Sequence, residues 1–478
     1  MRTDDLRGWT QACDVLVVGQ GGAGACAAIE AAGSGADTLV LERMSRGGGT
    51  TAVSTGILYF GGGTRVQKAC GFDDPPEEMA KFVRLAAGAR ADEEKVRLFC
   101  ERSVEHFEWL CGHGVRFTET WVAEKTTHPP DDRCLYYSGN ELAHPFAAAA
   151  RPAPRGHKPA GEGGALMECL LGACQAAGVR VANDCLALRL VQDAAGRVVG
   201  VEARRRGESW SVKARRGVVL CAGGFALNDA MLARHAPELL RCNWKAATPG
   251  DDGRGIRMGA GAGGAAVNMH EGLVLNAYYP PASILKGILV NAQGQRFVNE
   301  DAYLGRTSDA ILYRAGGRAW LIVDDEIHGR TQAGHRIAAV EEGFAALERA
   351  LGMPEGALVH SLEIYNRHAA RGEDPLFHKA AEYLRPLSTP PFAALDCCVE
   401  GSTFGVLTLG GLATRATGEV LDAEDRPVPG LYAAGRSSAG LPLEGRTYAS
   451  GMSIADATFF GRLAGRSAAA AAPWEESG

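Results

Sequence analysis

Cys13–Val18 (CDVLVV) is a short, nearly continuous apolar run ending on glycine, the pattern of a strand buried on both faces. Alanine-rich Gly22–Ser34 follows as a helix, and Asp37–Glu42 (DTLVLE) as a second strand. The unit takes about thirty residues, the length of a parallel strand–helix–strand crossover. Pro75–Ala87 and Asp92–Cys111 carry helical patterns; in the second, Val96, Phe99, Val104, Phe107 and Leu110 recur at a roughly 3.6-residue period. Residues 125–165 have no period and are rich in Pro, Gly and His, the texture of a functional loop or cover. Gly163–Gly178 reads as a helix, followed by strands near 179–190, 197–205 and 210–214, then Gly217–Cys221. From about 274 the texture changes: strands Gly287–Val290 and Trp320–Asp324 lead into a run of helices to about 385. Strand-like, glycine-rich segments return at Thr408–Gly411 and Gly430–Gly435. The order predicts an α/β protein in which a Rossmann-like domain, 1–273 plus 398–478, is interrupted by an inserted α+β domain, 274–397.

Composition narrows the picture. With 478 residues, 46% hydrophobic and 22% charged, the chain is long enough for two or three cores and is not disordered. Glycine is in excess, at 63 residues without a G-X-Y period, which implies many places where backbone turns sharply or lies against a ligand. The net charge is −6, with no basic stripe, so no nucleic-acid partner is expected. Thirteen scattered cysteines without a CxxC pair, and histidines without HExxH, imply no metal site and reduced thiols, hence the cytoplasm. The segment MRTDDLRGWTQ lacks an apolar core, so no signal peptide is expected, and no apolar window of about 18 residues predicts a membrane span. Ala468–Ala472 reads as a fraying helix end.

The candidate chemistry starts at Gly19-Gln20-Gly21-Gly22-Ala23-Gly24, a GxGxxG directly after a strand and opening a helix. Gly19 permits the tight turn, Gly21 lets backbone approach a pyrophosphate, and Gly24 packs helix on strand. The phosphate then meets free N–H groups and the positive end of the helix dipole. Glu42, 23 residues after Gly19, ends the second strand where it can accept hydrogen bonds from a ribose. A second glycine loop, Arg46–Ala52 with Gly49, Thr50 and Thr51, follows Arg43, and Ser54-Thr55-Gly56 lies close behind. Val219–Gly224, with Gly223, and Leu431–Arg436 repeat the strand–small residue–turn pattern. Four such loops spread along the chain argue for an extended FAD rather than NAD.

These residues, with the Arg197–Val201 strand, Asp252-Gly253 and Arg296-Phe297-Val298-Asn299-Glu300, resemble the flavoprotein family of succinate dehydrogenases, fumarate reductases and 3-ketosteroid dehydrogenases. The resemblance covers nearly the whole chain. It implies a Rossmann-like FAD-binding domain of the GR2 type, with Ala23, Glu42, Thr50, Gly56, Ala187, Asp252, Arg436, Ser453 and Ile454 at the cofactor. Thr50 and Thr51 stand where some relatives attach FAD through a histidine, which implies non-covalent FAD. Gly61–Asp74, Pro152–His157 and Tyr448-Ala449-Ser450-Gly451 point within the family to dehydrogenation of 3-oxo-5α-steroids to Δ4 products. Leu304 stands where fumarate reductases carry an arginine acid, and Tyr448 where they carry a dicarboxylate-binding arginine; Arg446 is two residues away. The implied mechanism sends hydride from C5 to the flavin and the C4 proton to Tyr448, with Tyr303 and Ser450 hydrogen-bonded around that phenol and lowering its pKa. The expected partners are a small-molecule ketone and an external electron acceptor. Alternatives are a fumarate reductase-like ene-reductase and a Δ1-type dehydrogenase of another cyclic ketone. His157 reads as a substrate-mouth residue or a capped loop histidine, and Cys221 as a small buried hydrophobe beside the cofactor. Leu441–Thr447 carries two extra residues relative to the family pattern, and 155–165 is shorter.

Overall fold

Strand Gln11–Val18 lies between two parallel neighbours, Thr38–Leu41 on one side and Glu208–Leu220 on the other. Val15 to Val18 are all buried, the burial on both faces that a central parallel strand requires. The computed structural model describes residues 1–6 and 8–474. Its largest sheet runs Glu419–Leu421, Pro427–Ala433, Glu208–Leu220, Gln11–Val18, Thr38–Leu41, Arg180–Ala182, and the hairpin Cys185–Gln192 with Val198–Arg205 pairs onto Glu208–Leu220. The architecture is mixed α/β, as the apolar runs imply.

Several boundaries differ from the periodicity. The strands expected at 210–214 and 217–221 are one strand, Glu208–Leu220, which shifts register opposite Cys13 and Val15. The run expected over 179–190 is broken at Asp184, whose φ is 56°, into Arg180–Ala182 and Cys185–Gln192. The helix expected over Asp92–Cys111 is two, Glu93–Glu101 and Ser103–Gly112, because Arg102 leaves helical geometry at ψ 12°. The 125–165 segment contains Leu135–Tyr136 and Gly156–His157, which join Leu58–Tyr59 in a small sheet.

Within 288–396 an antiparallel sheet orders Ile288–Asn291, Ala319–Asp324, Phe392–Asp396 and Ile337–Glu341. The last strand falls inside the expected run of helices, which is reduced to Phe344–Ala350 and Ala357–Ala369. The expected division at 273/274 falls within strand Gly272–Leu275, which pairs antiparallel with Gly405–Thr408, so the chain leaves and returns on adjacent strands.

Helix Met452–Ala470 packs along helix Gly22–Gly33 at glycines. A Cβ on Gly461 would lie 2.5 Å from the Ala23 carbonyl oxygen, and one on Gly465 2.1 Å from that of Ala27. The buried Arg462 guanidinium fixes the pair by bonding Glu30 at 2.7 Å and Glu105 at 2.9 Å. Of the alanine run expected to fray, Ala468 and Ala469 are buried, whereas Ala470 and Ala472 are exposed and the helix ends at Ala470. Among the described residues, no helix is long and apolar enough to cross a membrane, no cluster could hold a metal ion, and all thirteen cysteines are free.

Candidate active site

A cavity of about 770 Å³ runs from the carboxyl ends of the parallel strands to the inserted segment. At its inner end, Gly19 turns with φ 96°, where a Cβ would strike the Cys221 carbonyl oxygen at 2.5 Å. Helix Gly22–Gly33 starts there, and Gly21, Gly22 and Ala23 line the wall. The Glu42 carboxylate is oriented by two backbone donors, Gln20 N–H at 2.8 Å and Met44 N–H at 2.8 Å. Both bonds hold the carboxylate beside the glycine turn, where its remaining lone pairs suit a ribose diol. Arg43, Gly49, Thr50, Thr51, Thr55, Ala187, Gly223, Asp252, Arg436, Ser453 and Ile454 line the same cavity.

Gly24 and Gly56 do not line it. A Cβ on Gly24 would lie 1.9 Å from the Gly19 carbonyl oxygen, so Gly24 closes helix on strand. Gly56, with φ 70°, backs onto the start of helix Glu162–Ala176, 2.5 Å from Gly163 N by the same measure. Their place is in the packing behind the cofactor wall.

The hub of the central wall is Asp251, which the sequence reading passed over in favour of its neighbour. Its carboxylate accepts from Gly224 N–H at 2.7 Å, Thr50 Oγ1 at 2.7 Å and Arg436 Nη2 at 2.8 Å, tying three glycine loops together. Asp252 instead pairs with Arg43 at 3.0 Å and caps Arg254 N–H. Arg436 Nη1 is buried without a hydrogen-bond partner. An orphaned guanidinium nitrogen on a cavity wall that also carries glycine turns and a helix N-terminus fits an anionic dinucleotide.

At the far end stand Tyr303, Tyr448 and Ser450. The rings of Tyr303 and Tyr448 lie 6.4 Å apart at 32°. Tyr303 Oη donates to Ser450 Oγ at 3.3 Å, while Tyr448 Oη donates to Ser453 Oγ at 2.9 Å and accepts Ser453 N–H at 3.1 Å. The expected ring of bonds around Tyr448 is therefore divided: Ser450 belongs to Tyr303, and Ser453 serves Tyr448. Nor is the phenol pKa lowered. Burial pushes Tyr448 above the ordinary phenol value despite the two Ser453 bonds, and pushes Tyr303 well above it with Tyr448 as a second cause. Both are neutral phenols, hence donors, at neutral pH.

Leu304 lines this end beside Leu273, Leu275, Ala277 and Leu407. Arg446 does not; its guanidinium bonds Glu444 at 2.7 Å and is half exposed. His157 is wholly buried between Thr64 and the Arg155 carbonyl, 2.9 Å from each, with its pKa pushed down to about 4 by burial, so it is a packed histidine away from the cavity mouth. The Cys221 thiol is pushed up to about 12 by burial and is inert as a nucleophile. Thr127, His128, Trp244, Gln332 and Ala333 also line the cavity; their positions carry no local motif that would single them out.

Comparisons with known proteins agree with this geometry. The family described as FAD binding domain matches residues 14–443. A 3-oxo-5-alpha-steroid 4-dehydrogenase of Comamonas testosteroni is 30% identical, over 89% of this chain and 93% of its own length. An NADH:fumarate oxidoreductase of Klebsiella pneumoniae (strain 342) is 28% identical over 95% of this chain but only 47% of its own length. Among solved structures, the 3-ketosteroid-delta4-(5alpha)-dehydrogenase of Rhodococcus jostii RHA1 in complex with 4-androstene-3,17-dione superposes with a TM-score of 0.93 at 44% identity, covering 98% of this chain and 99% of that one. Because the matched stretch takes in the Gly19 turn, the Glu42 strand and the loops that meet at Asp251, the chain belongs to the FAD binding domain family and is an FAD-dependent oxidoreductase.

Proposed function

We propose that this enzyme dehydrogenates a 3-oxo-5α-steroid between C4 and C5. The observation that carries the reading is the pairing of two neutral, buried tyrosines with an apolar wall at one end of the FAD cavity, where a dicarboxylate reductase would need arginines. The steroid-dehydrogenating relatives support it. FAD, when bound, supplies the acceptor for the hydride from C5. Gly19, Gly21 and Ala23 would receive its diphosphate, Glu42 its ribose, and Arg436 Nη1 a polar atom along its length. Thr50 and Thr51, in place of a histidine, support non-covalent binding. Arg43, Gly49, Thr55, Ala187, Gly223, Asp252, Ser453 and Ile454 complete the wall, and residues within 274–397 cover the substrate.

The C3 ketone makes the C4 hydrogen acidic, and the neutral Tyr303 phenol, bonded to Ser450, is the hydrogen-bond donor at this end. In its phenolate form, which the two Ser453 bonds stabilise, Tyr448 takes the C4 proton and becomes the neutral phenol. Burial keeps the resting phenol protonated, so the phenolate is a minor but strongly basic form whose share grows with pH. An electron acceptor from outside the chain closes the cycle.

The test is anaerobic mixing of the yellow protein with a saturated 3-oxo-5α-steroid while the flavin band is followed, with the product's double bond located afterwards. Bleaching with a Δ4 product is expected. No bleaching by steroid, together with reoxidation of the dithionite-reduced protein by fumarate, would overturn the reading.

A further inference from the structure

One wall of the cavity is a three-stranded sheet, Trp244–Lys245, Gly405–Thr408 and Gly272–Leu275, and its register orders the side chains along the cavity. Leu273 pairs with Leu407, and Leu275 pairs with Gly405, which pairs on its other edge with Trp244. Leu273 and Leu407 form the inner row. The Leu273 side chain reaches the catalytic end, because Leu273 Cδ1 and Tyr303 Cε1 flank the same point, 2.7 and 2.8 Å from where a Cβ on Gly305 would be. The outer row, two residues further along the strands and so about 7 Å away, is Leu275, Gly405 and Trp244. Burial falls in the same direction: Leu273 is 2% exposed and Trp244 53%.

The indole is seated rather than loose. A Cβ on Gly405 would lie 2.5 Å from Trp244 Cε3 and 2.8 Å from Cζ3, so the ring lies over the bare glycine backbone with its other side open. Tryptophan offers a large rigid surface at little entropic cost, and leaving that surface to water is unfavourable unless a ligand covers it.

We propose that Trp244, seated on Gly405, is a specificity-determining contact for the far rings of a polycyclic ketone. The inference rests on the ketosteroid reading above and deepens it. With the reacting ring against the hydroxyl ends of Tyr303 and Tyr448, the next ring covers Leu273 and Leu407, and the rings beyond it reach Leu275 and Trp244. A two-ring ketone has the reacting carbons but nothing to lay on the outer row.

The test compares kcat/KM for a four-ring ketone, 5α-androstane-3,17-dione, with that for a two-ring ketone, trans-2-decalone, in holoenzyme with an artificial electron acceptor. Trp244→Ala is expected to lower the four-ring to two-ring ratio about tenfold, mostly through KM, on the scale of one uncovered aromatic face. Gly405→Ala, whose methyl collides with the ring, is expected to lower it in the same direction, and Trp244→Phe to restore most of it. If decalone is not turned over, its inhibition constant against the four-ring ketone takes its place. An unchanged ratio in both Trp244→Ala and Gly405→Ala overturns the inference while leaving the ketosteroid reading intact. A wild-type protein that oxidises neither ketone overturns that reading and this inference together.

Discussion

Tyr448 gathers most of the chemistry into one hydroxyl, and its surroundings decide what that hydroxyl does. Two Ser453 bonds favour the phenolate, but burial outweighs them and keeps the group protonated beyond the ordinary phenol value of about 10. If the protonated form is the active one, kcat/KM stays level through neutrality and falls as pH rises through the raised pKa. With the phenolate as base, kcat/KM is expected to climb about tenfold per pH unit on approach to that pKa, so a pH profile separates the two roles. Tyr448→Phe is expected to keep its flavin spectrum and lose at least about a hundredfold in turnover, the scale of a lost acid–base group. Wild-type turnover in that variant would remove Tyr448 from the mechanism. At this scale the sequence is informative where function is local: Gly19, Gly21 and Glu42 follow from one strand–loop–helix pattern. Asp251 escapes it, because its three partners come from segments up to 201 residues away and only the folded chain brings them together.

Among elements, the contact that matters most is between the first helix and the last long one. Gly461 and Gly465 let helix Met452–Ala470 lie directly on the backbone of helix Gly22–Gly33, and Ser453 and Ile454 at its start line the cavity. Gly465→Ala drives a methyl toward the Ala27 carbonyl and is expected to cost about 1–3 kcal/mol, the range of overpacked interiors. Gly172→Ala is the control, since nothing lies within 4 Å of its added methyl, and its helix is expected to gain up to about 1 kcal/mol. Denaturant unfolding of both variants checks the pair; equal effects would deny the close contact. Element types were largely legible, whereas their joints were not. The Arg102 break, the Asp184 turn and the merger into Glu208–Leu220 come from tertiary pairing, which leaves apolar periodicity unchanged.

Over the whole molecule, the cavity is lined from Val18 to Ala457, so FAD, when bound, adds contacts to segments drawn from both ends of the chain. Removing FAD is expected to lower the stability of the fold by about 4 kcal/mol when free FAD had exceeded its dissociation constant a thousandfold. Flavin fluorescence and far-ultraviolet circular dichroism of the holoenzyme should then change in a single transition on heating. Flavin release well before any loss of helix signal would show that the cofactor does not brace the fold. The α/β order was legible in apolar texture, whereas strands Ile337–Glu341 and Phe392–Asp396 of the second sheet were not. The cavity's outer lining was not, because Thr127, Trp244 and Gln332 are ordinary residues until strand register and loop contacts bring them to one wall.

The glycine-to-backbone seam between the two helices also has a history in time. Glu30 is bonded by Arg462, 432 residues later in the chain. At a synthesis rate of about 5–20 residues per second, that separation is roughly 20–90 seconds. For nearly all of that interval the nascent chain carries its dinucleotide helix without the partner that covers it, and Tyr448 has not yet been made. Flavin capture that uses both helices therefore waits until residues near Ile454 have been made, and the alanine face of the first helix stays uncovered until helix Met452–Ala470 exists.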